Sequence, residues 1–103
     1  MKSMKFVSTI VLTSALILSG SAFADAAAGK SAYAAKGCIG CHGAGGKSVV
    51  PTYPTLAGKD EAFVSKNLTD FRSGARQNPT MNAMAAGLTD GDIANLAAYI
   101  GSL

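Results

Sequence analysis

The sequence predicts a small all-α domain, and three observations support this fold class. No segment shows the sustained alternation of apolar and polar residues that is typical of a half-buried strand. Apolar residues recur at helical spacing in segments that begin at capping residues and end near glycines. The length of 103 residues leaves room for one domain only.

The first predicted helix spans residues 26–36, which are rich in alanine, and it ends at Gly37. Residues 37–58 hold most of the glycines and two prolines, so they are predicted to be loop. The second predicted helix begins at Asp60 as N-cap, runs to about Arg72 and stops at Gly74. Its apolar positions share one helical face: Phe63, Val64, Leu68 and Phe71.

A further loop is predicted at residues 77–80, marked by Asn78-Pro79, and a short helical turn follows toward Leu88. The last predicted helix covers residues 89–103. Thr89 is its predicted N-cap and Asp92 completes a capping box in which Asp replaces Glu. Its predicted buried stripe consists of Ile93, Leu96, Ala97 and Ile100.

Residues 1–24 are predicted to be a secretory signal peptide. Two lysines precede thirteen uncharged, mainly apolar residues (6–18), and residues 22–24 fit the A-x-A cleavage pattern. The alternative, an uncleaved membrane anchor, is disfavoured because a bilayer span needs about 20 apolar residues. Cleavage would export a single domain of residues 25–103 to the periplasm, with no membrane span.

The charge of this domain excludes some partners. Residues 25–103 contain seven basic and six acidic side chains, a net charge of +1. A nucleic-acid-binding domain needs a strongly basic stripe, and an anionic membrane attracts a polybasic cluster. Neither pattern is present in the sequence, so neither partner is expected.

The segment Cys38-Ile39-Gly40-Cys41-His42 is a C-x-x-C-H motif, the attachment signature of c-type haem. Two thiols at this spacing can add to the two vinyl groups of one porphyrin, and the adjacent His42 can bind the iron. A redox dithiol would need a βαβ context, and a zinc site would need further ligands. A structural disulfide is the remaining alternative. A large, flat, apolar cofactor would also fill the core of a chain with few bulky side chains.

The chain resembles the small single-haem class I cytochromes c of bacterial periplasms. The resemblance covers residues 25–103 and includes the motif at 38–42, residues 51–58, 70–76, 78–81 and the final helix. It implies that the first and last helices cross around one covalently bound haem. It also implies that Gly29 and Tyr33 contact Leu96 and Tyr99 at this crossing.

The resemblance assigns roles at the haem. Cys38 and Cys41 are expected to form the thioethers and His42 to be the proximal ligand. The Pro54 carbonyl is expected to accept a hydrogen bond from His42, which would fix the imidazole tautomer. The distal ligand is expected to be Met81, seven residues before Leu88 as in the family, with Met84 as the alternative.

A His/Met pair fills both axial positions and raises the reduction potential. The chain is therefore expected to be a monomeric one-electron carrier, not an enzyme, that docks transiently with periplasmic redox proteins. The alternative is a peroxidase-like haem enzyme or a gas-binding sensor. That function would need a vacant or labile sixth position and distal acid–base groups.

Overall fold

The computed structural model describes residues 24–103, and this part of the chain contains helices and loops without strands. The predicted signal peptide lies almost entirely outside the described residues. The helices are α1 (Ala26–Ala35), α2 (Cys38–His42), α3 (Glu61–Ser73), α4 (Pro79–Ala86) and α5 (Asp90–Ile100), with one 3-10 turn at Ala44–Gly46.

Helix α1 packs on α5, and this contact joins the two ends of the domain. A Cβ atom built on Gly29 would lie 1.9 Å from the carbonyl oxygen of Asn95, so only glycine allows the two backbones to approach this closely. The rings of Tyr33 and Tyr99 pack beside this point with their centroids 5.4 Å apart. The expected contact between the first and last helices is present.

Helix α3 is held against the junction of α4 and α5. The Arg72 guanidinium donates to the Leu88 carbonyl at 3.1 Å and to the Asp90 carboxylate at 2.7 Å. The buried core lies between these helices and is small, with Tyr33 and Leu96 as its largest fully enclosed side chains. Its members are Tyr33, Val64, Ala85, Leu88, Ile93, Leu96, Ala97 and Ile100.

Two predicted loops contain helices. Residues 38–42, predicted as loop, form α2, which is too short to produce a periodic pattern. Residues 77–80 were predicted as loop, but Pro79 is the first residue of α4. Asn78 is the N-cap, and its side chain accepts a hydrogen bond from the Met81 N–H at 3.0 Å. Proline is favoured directly after an N-cap, so Asn-Pro here starts a helix.

The two longer predicted helices are present with shifted ends. Helix α3 has Asp60 as N-cap and Gly74 as C-cap, as predicted. Helix α5 has the predicted capping box of Thr89 and Asp92, but it ends at Ile100. None of the helices formed by residues 24–103 has the length and hydropathy of a bilayer-spanning segment.

Candidate functional site

Helix α2 presents the three side chains of the C-x-x-C-H motif at one place. Gly37 joins it to α1 with φ of 83°, a left-handed conformation that glycine adopts without strain. Cys38 and Cys41 are three residues apart on a helical turn, so both lie on neighbouring positions of one face. Both thiols are free and half-buried.

His42 is buried and has a defined hydrogen-bond partner. Its Nδ1 atom lies 2.8 Å from the carbonyl oxygen of Pro54. A carbonyl can only accept, so Nδ1 carries the proton and donates it. In a neutral imidazole with the proton on Nδ1, the other ring nitrogen, Nε2, has the free lone pair that can bind a metal.

The loop that carries Pro54 is fastened to the segment after α2. The Gly46 carbonyl accepts from the Leu56 and Ala57 N–H groups at 2.7 and 3.1 Å. The Ser48 N–H donates to the Thr55 hydroxyl at 3.1 Å. These bonds fasten the three residues that follow Pro54 and so help to hold its carbonyl against the imidazole of His42.

One cavity of about 530 Å³ brings the sequence-predicted residues together. Cys38, Cys41 and His42 line it from α2, and Pro54 lines it from the following loop. Met81 and Met84 line it from α4. A volume of this order is typical of sites that enclose a cofactor.

The remaining walls of the cavity are mainly apolar. They include the predicted apolar face of α3, of which only Val64 is fully buried, whereas Phe63 is 44% exposed. This face lines the cavity because the space between α3 and α2 is larger than the side chains fill. The apolar wall residues on α3 and α5 are Phe63, Val64, Leu68, Phe71, Leu96 and Ile100.

The two methionines differ in their surroundings. Met81 is half-buried, whereas Met84 is 40% exposed. The Met84 methyl carbon extends toward the start of α2, 3.3 Å from a Cβ built on Gly37. Both residues lie on α4, so the helical turn predicted toward Leu88 begins earlier than expected, at Pro79 before Met81.

Two cations at the cavity were not predicted as site residues. The Arg76 guanidinium lies 4.8 Å from the Phe71 ring centroid and donates to the Asn67 side chain. The Lys59 ammonium lies 5.5 Å from the Phe63 ring centroid. Both residues line the cavity, although their separation along the chain matches no motif.

Burial also changes the chemistry of one thiol. It raises the pKa of the Cys38 thiol above its usual value, so the neutral thiol is favoured. The largest cause is desolvation of the charged form, since the side chain lies in the apolar wall of the cavity.

The family model described as Cytochrome c matches residues 26–103. The chain belongs to the cytochrome c family. Its helical arrangement is the class I cytochrome c fold, and together with the C-x-x-C-H motif the family membership assigns a covalently bound haem c. The apolar cavity, the free thiols and the metal-binding form of His42 fit this group.

The chain is similar to several bacterial cytochromes. It is 38% identical over 98 residues to cytochrome c4 of Pseudomonas aeruginosa, covering 95% of this chain and 48% of that protein. It is 38% identical over 81 residues to cytochrome c-554(548) of Halomonas halodenitrificans, covering 76% of this chain and 95% of that protein.

The solved structure of Acidithiobacillus ferrooxidans cytochrome c4, described as supporting a complex-induced tuning of electron transfer, has the same fold. The TM-score is 0.70 at 32% identity, over 81% of this chain and 53% of that one. The chain thus spans about half the length of the cytochromes c4 and nearly all of cytochrome c-554(548).

Proposed function

We propose that this cytochrome is a periplasmic carrier of single electrons, with His42 and Met81 as the axial ligands of its haem iron. The observation that carries the proposal is the shared cavity, which collects both thiols, the oriented imidazole and a thioether sulfur. Haem c supplies an iron that alternates between the ferrous and ferric states.

The haem and its iron would be held by the side chains of Cys38, Cys41, His42 and Met81. Cys38 and Cys41 would anchor the ring through thioethers, and His42 Nε2 would bind one side of the iron. Two axial ligands from the protein leave no position for oxygen or peroxide. If these residues bind the iron in both oxidation states, little rearrangement of the protein would accompany electron transfer.

Met81 is the better candidate for the second axial position. It is more enclosed than Met84, which is 40% exposed and extends toward Gly37. It also lies seven residues before Leu88, the spacing that the family resemblance implies. A thioether ligand favours ferrous iron and raises the reduction potential.

The cavity lining disfavours the alternative of a peroxidase-like enzyme or gas sensor. Among the described residues that line the cavity there is no Asp, no Glu and no second His to act on a bound oxygen species. Lys59 and Arg76 do line it, and their positive charge suits the two propionate carboxylates that every haem carries.

The protein is proposed to act in the periplasm and to exchange electrons there with other redox proteins. The family match begins at residue 26, directly after the proposed cleavage site that follows residue 24, which is consistent with export to the periplasm. The domain is proposed to be a monomer that meets other redox proteins through small, transient contacts, below about 1,200 Å² of buried surface. The net charge of +1 on residues 25–103 provides little long-range steering.

Alanine substitution of each methionine tests the ligand assignment. Met81→Ala should abolish the sulfur-to-iron charge-transfer band of the oxidised protein, lower the reduction potential and let carbon monoxide bind the reduced protein. Met84→Ala should keep the band, and because Met84 is partly exposed it should cost about 1 kcal/mol of unfolding free energy or less. Loss of the band in Met84→Ala with its retention in Met81→Ala would reverse the assignment.

A further inference from the structure

We propose that Asn82 is a positioning residue for the axial methionine, because its side chain fastens the start of α4 to the end of α3. This inference rests on the proposed function, in which Met81 binds the iron. Asn82 follows Met81 directly on α4 and is half-buried.

The Asn82 amide makes three hydrogen bonds to backbone groups. Its Nδ2 donates to the Phe71 carbonyl at 2.8 Å and to the Arg76 carbonyl at 2.9 Å. Its Oδ1 accepts from the Asn78 N–H at 2.9 Å. Both amide hydrogens are therefore used, and three separate backbone segments meet at one side chain.

Two of the hydrogen bonds around Met81 link Asn78 and Asn82 to the backbone of the same helical turn. The Met81 N–H donates to the Asn78 side chain, while the Asn78 N–H donates to the Asn82 side chain. The side chains of Asn78 and Asn82 thus fix the backbone of the first turn of α4, which contains Met81. The position of this turn decides where the Met81 sulfur lies.

The same amide connects this turn to α3, which forms the neighbouring wall of the cavity. Phe71 lies in the last turn of α3, where carbonyls have no partner within the helix. Asn82 supplies the missing donor for its carbonyl. Because Phe71 and Met81 both line the cavity, the amide fixes the α4 wall relative to the α3 wall.

Removal of the amide should let α4 move away from the iron. Without the two bonds to α3 and its C-terminal loop, dissociation of the Met81 sulfur from the iron should become more favourable by about tenfold. An external ligand that competes with Met81 for the ferric iron should then bind more tightly by the same factor.

The test is the affinity of the oxidised holoprotein for imidazole, measured by absorption in Asn82→Ala. The matched control is Asn95→Ala, another half-buried helical asparagine, whose side chain accepts from the Asp25 N–H at 2.8 Å and lies outside the cavity lining. Affinities are compared at equal free energies of unfolding, adjusted with guanidinium, so that a general loss of stability does not contribute.

A second variant separates the role of the amide oxygen, which accepts a hydrogen bond, from that of the amide nitrogen, which donates two. Asn82→Asp keeps an acceptor for the Asn78 N–H but has no N–H for the Phe71 and Arg76 carbonyls. It should therefore bind imidazole as tightly as Asn82→Ala. Wild-type affinity in Asn82→Asp would mean that only the start of α4 matters and would overturn the connection to α3.

The imidazole affinities of the alanine variants decide the positioning role and the ligand assignment separately. Asn82→Ala should bind imidazole about tenfold more tightly than both the wild type and Asn95→Ala. Equal affinities in the two alanine variants would overturn the positioning role. Met81→Ala is measured in parallel, and if it does not bind imidazole more tightly than the wild type, the ligand assignment itself fails.

Discussion

Gly29 sets the distance between the two terminal helices. Its Cα hydrogen faces the backbone of Asn95, and an added Cβ would also lie 2.8 Å from the Tyr99 Cβ. The opposing atoms belong to the backbone and to a packed Cβ, so neither can turn aside. The family resemblance implied that Gly29 and Tyr33 approach Tyr99, but it did not point to the Asn95 backbone. Hydropathy patterns carry no information about which glycine faces which carbonyl.

Gly29→Ala should therefore force α1 away from α5 and destabilise the holoprotein by about 3 kcal/mol, at the upper end of the range for overpacking. Guanidinium unfolding measures this loss. Gly87→Ala is the matched control, because a Cβ at Gly87 meets nothing within 4 Å. Similar midpoints for the two variants would show that the close contact between α1 and α5 is not required.

Among the helices, α1, α3 and α5 could be predicted from the sequence, whereas α2 and the start of α4 could not. Asp60, Gly74 and Thr89 mark the ends of α3 and α5 in the sequence, and each acts as predicted. The Asn78-Pro79 pair was misassigned because the same residues favour both a turn and the start of a helix. The structure resolves this ambiguity through the Asn82 bonds, which are tertiary contacts.

The capping box of α5 gives a pH dependence. The Thr89 N–H donates to the Asp92 carboxylate at 3.0 Å and, as the largest cause, lowers its pKa from the usual value. Because the pKa of Asp92 is lower in the folded state, its ionised carboxylate stabilises the fold at pH values above the pKa that Asp92 has in the unfolded chain. This stabilisation is lost as the pH falls through the folded pKa.

Asp92→Asn keeps an acceptor for Thr89 but removes the charge at the helix N-terminus. The variant should be less stable than the wild type by about 0.5 kcal/mol at neutral pH. The difference should shrink as acid protonates Asp92 in the wild type. Thermal unfolding as a function of pH checks this, and a difference that stays constant down to the acid range would contradict the role of the charge.

At the scale of the whole molecule, the helices enclose a cavity more than they pack on one another. The fully buried side chains are few and mostly small or aliphatic, and the apolar face of α3 borders open space. The sequence indicated this need for a core-filling group through its length and its lack of bulky residues. It could not indicate the roles of Lys59, Arg76 and Asn82, because these roles depend on contacts that appear only in the folded chain.

An electron carrier of this kind requires a haem iron with both axial positions filled by the protein. The most direct test is the absorption spectrum of the wild-type holoprotein, oxidised and reduced, before and after addition of carbon monoxide. We expect six-coordinate low-spin haem in both oxidation states and a reduced spectrum that carbon monoxide leaves unchanged. A carbon monoxide adduct of the reduced wild-type protein would reveal an open or labile position and contradict the carrier function.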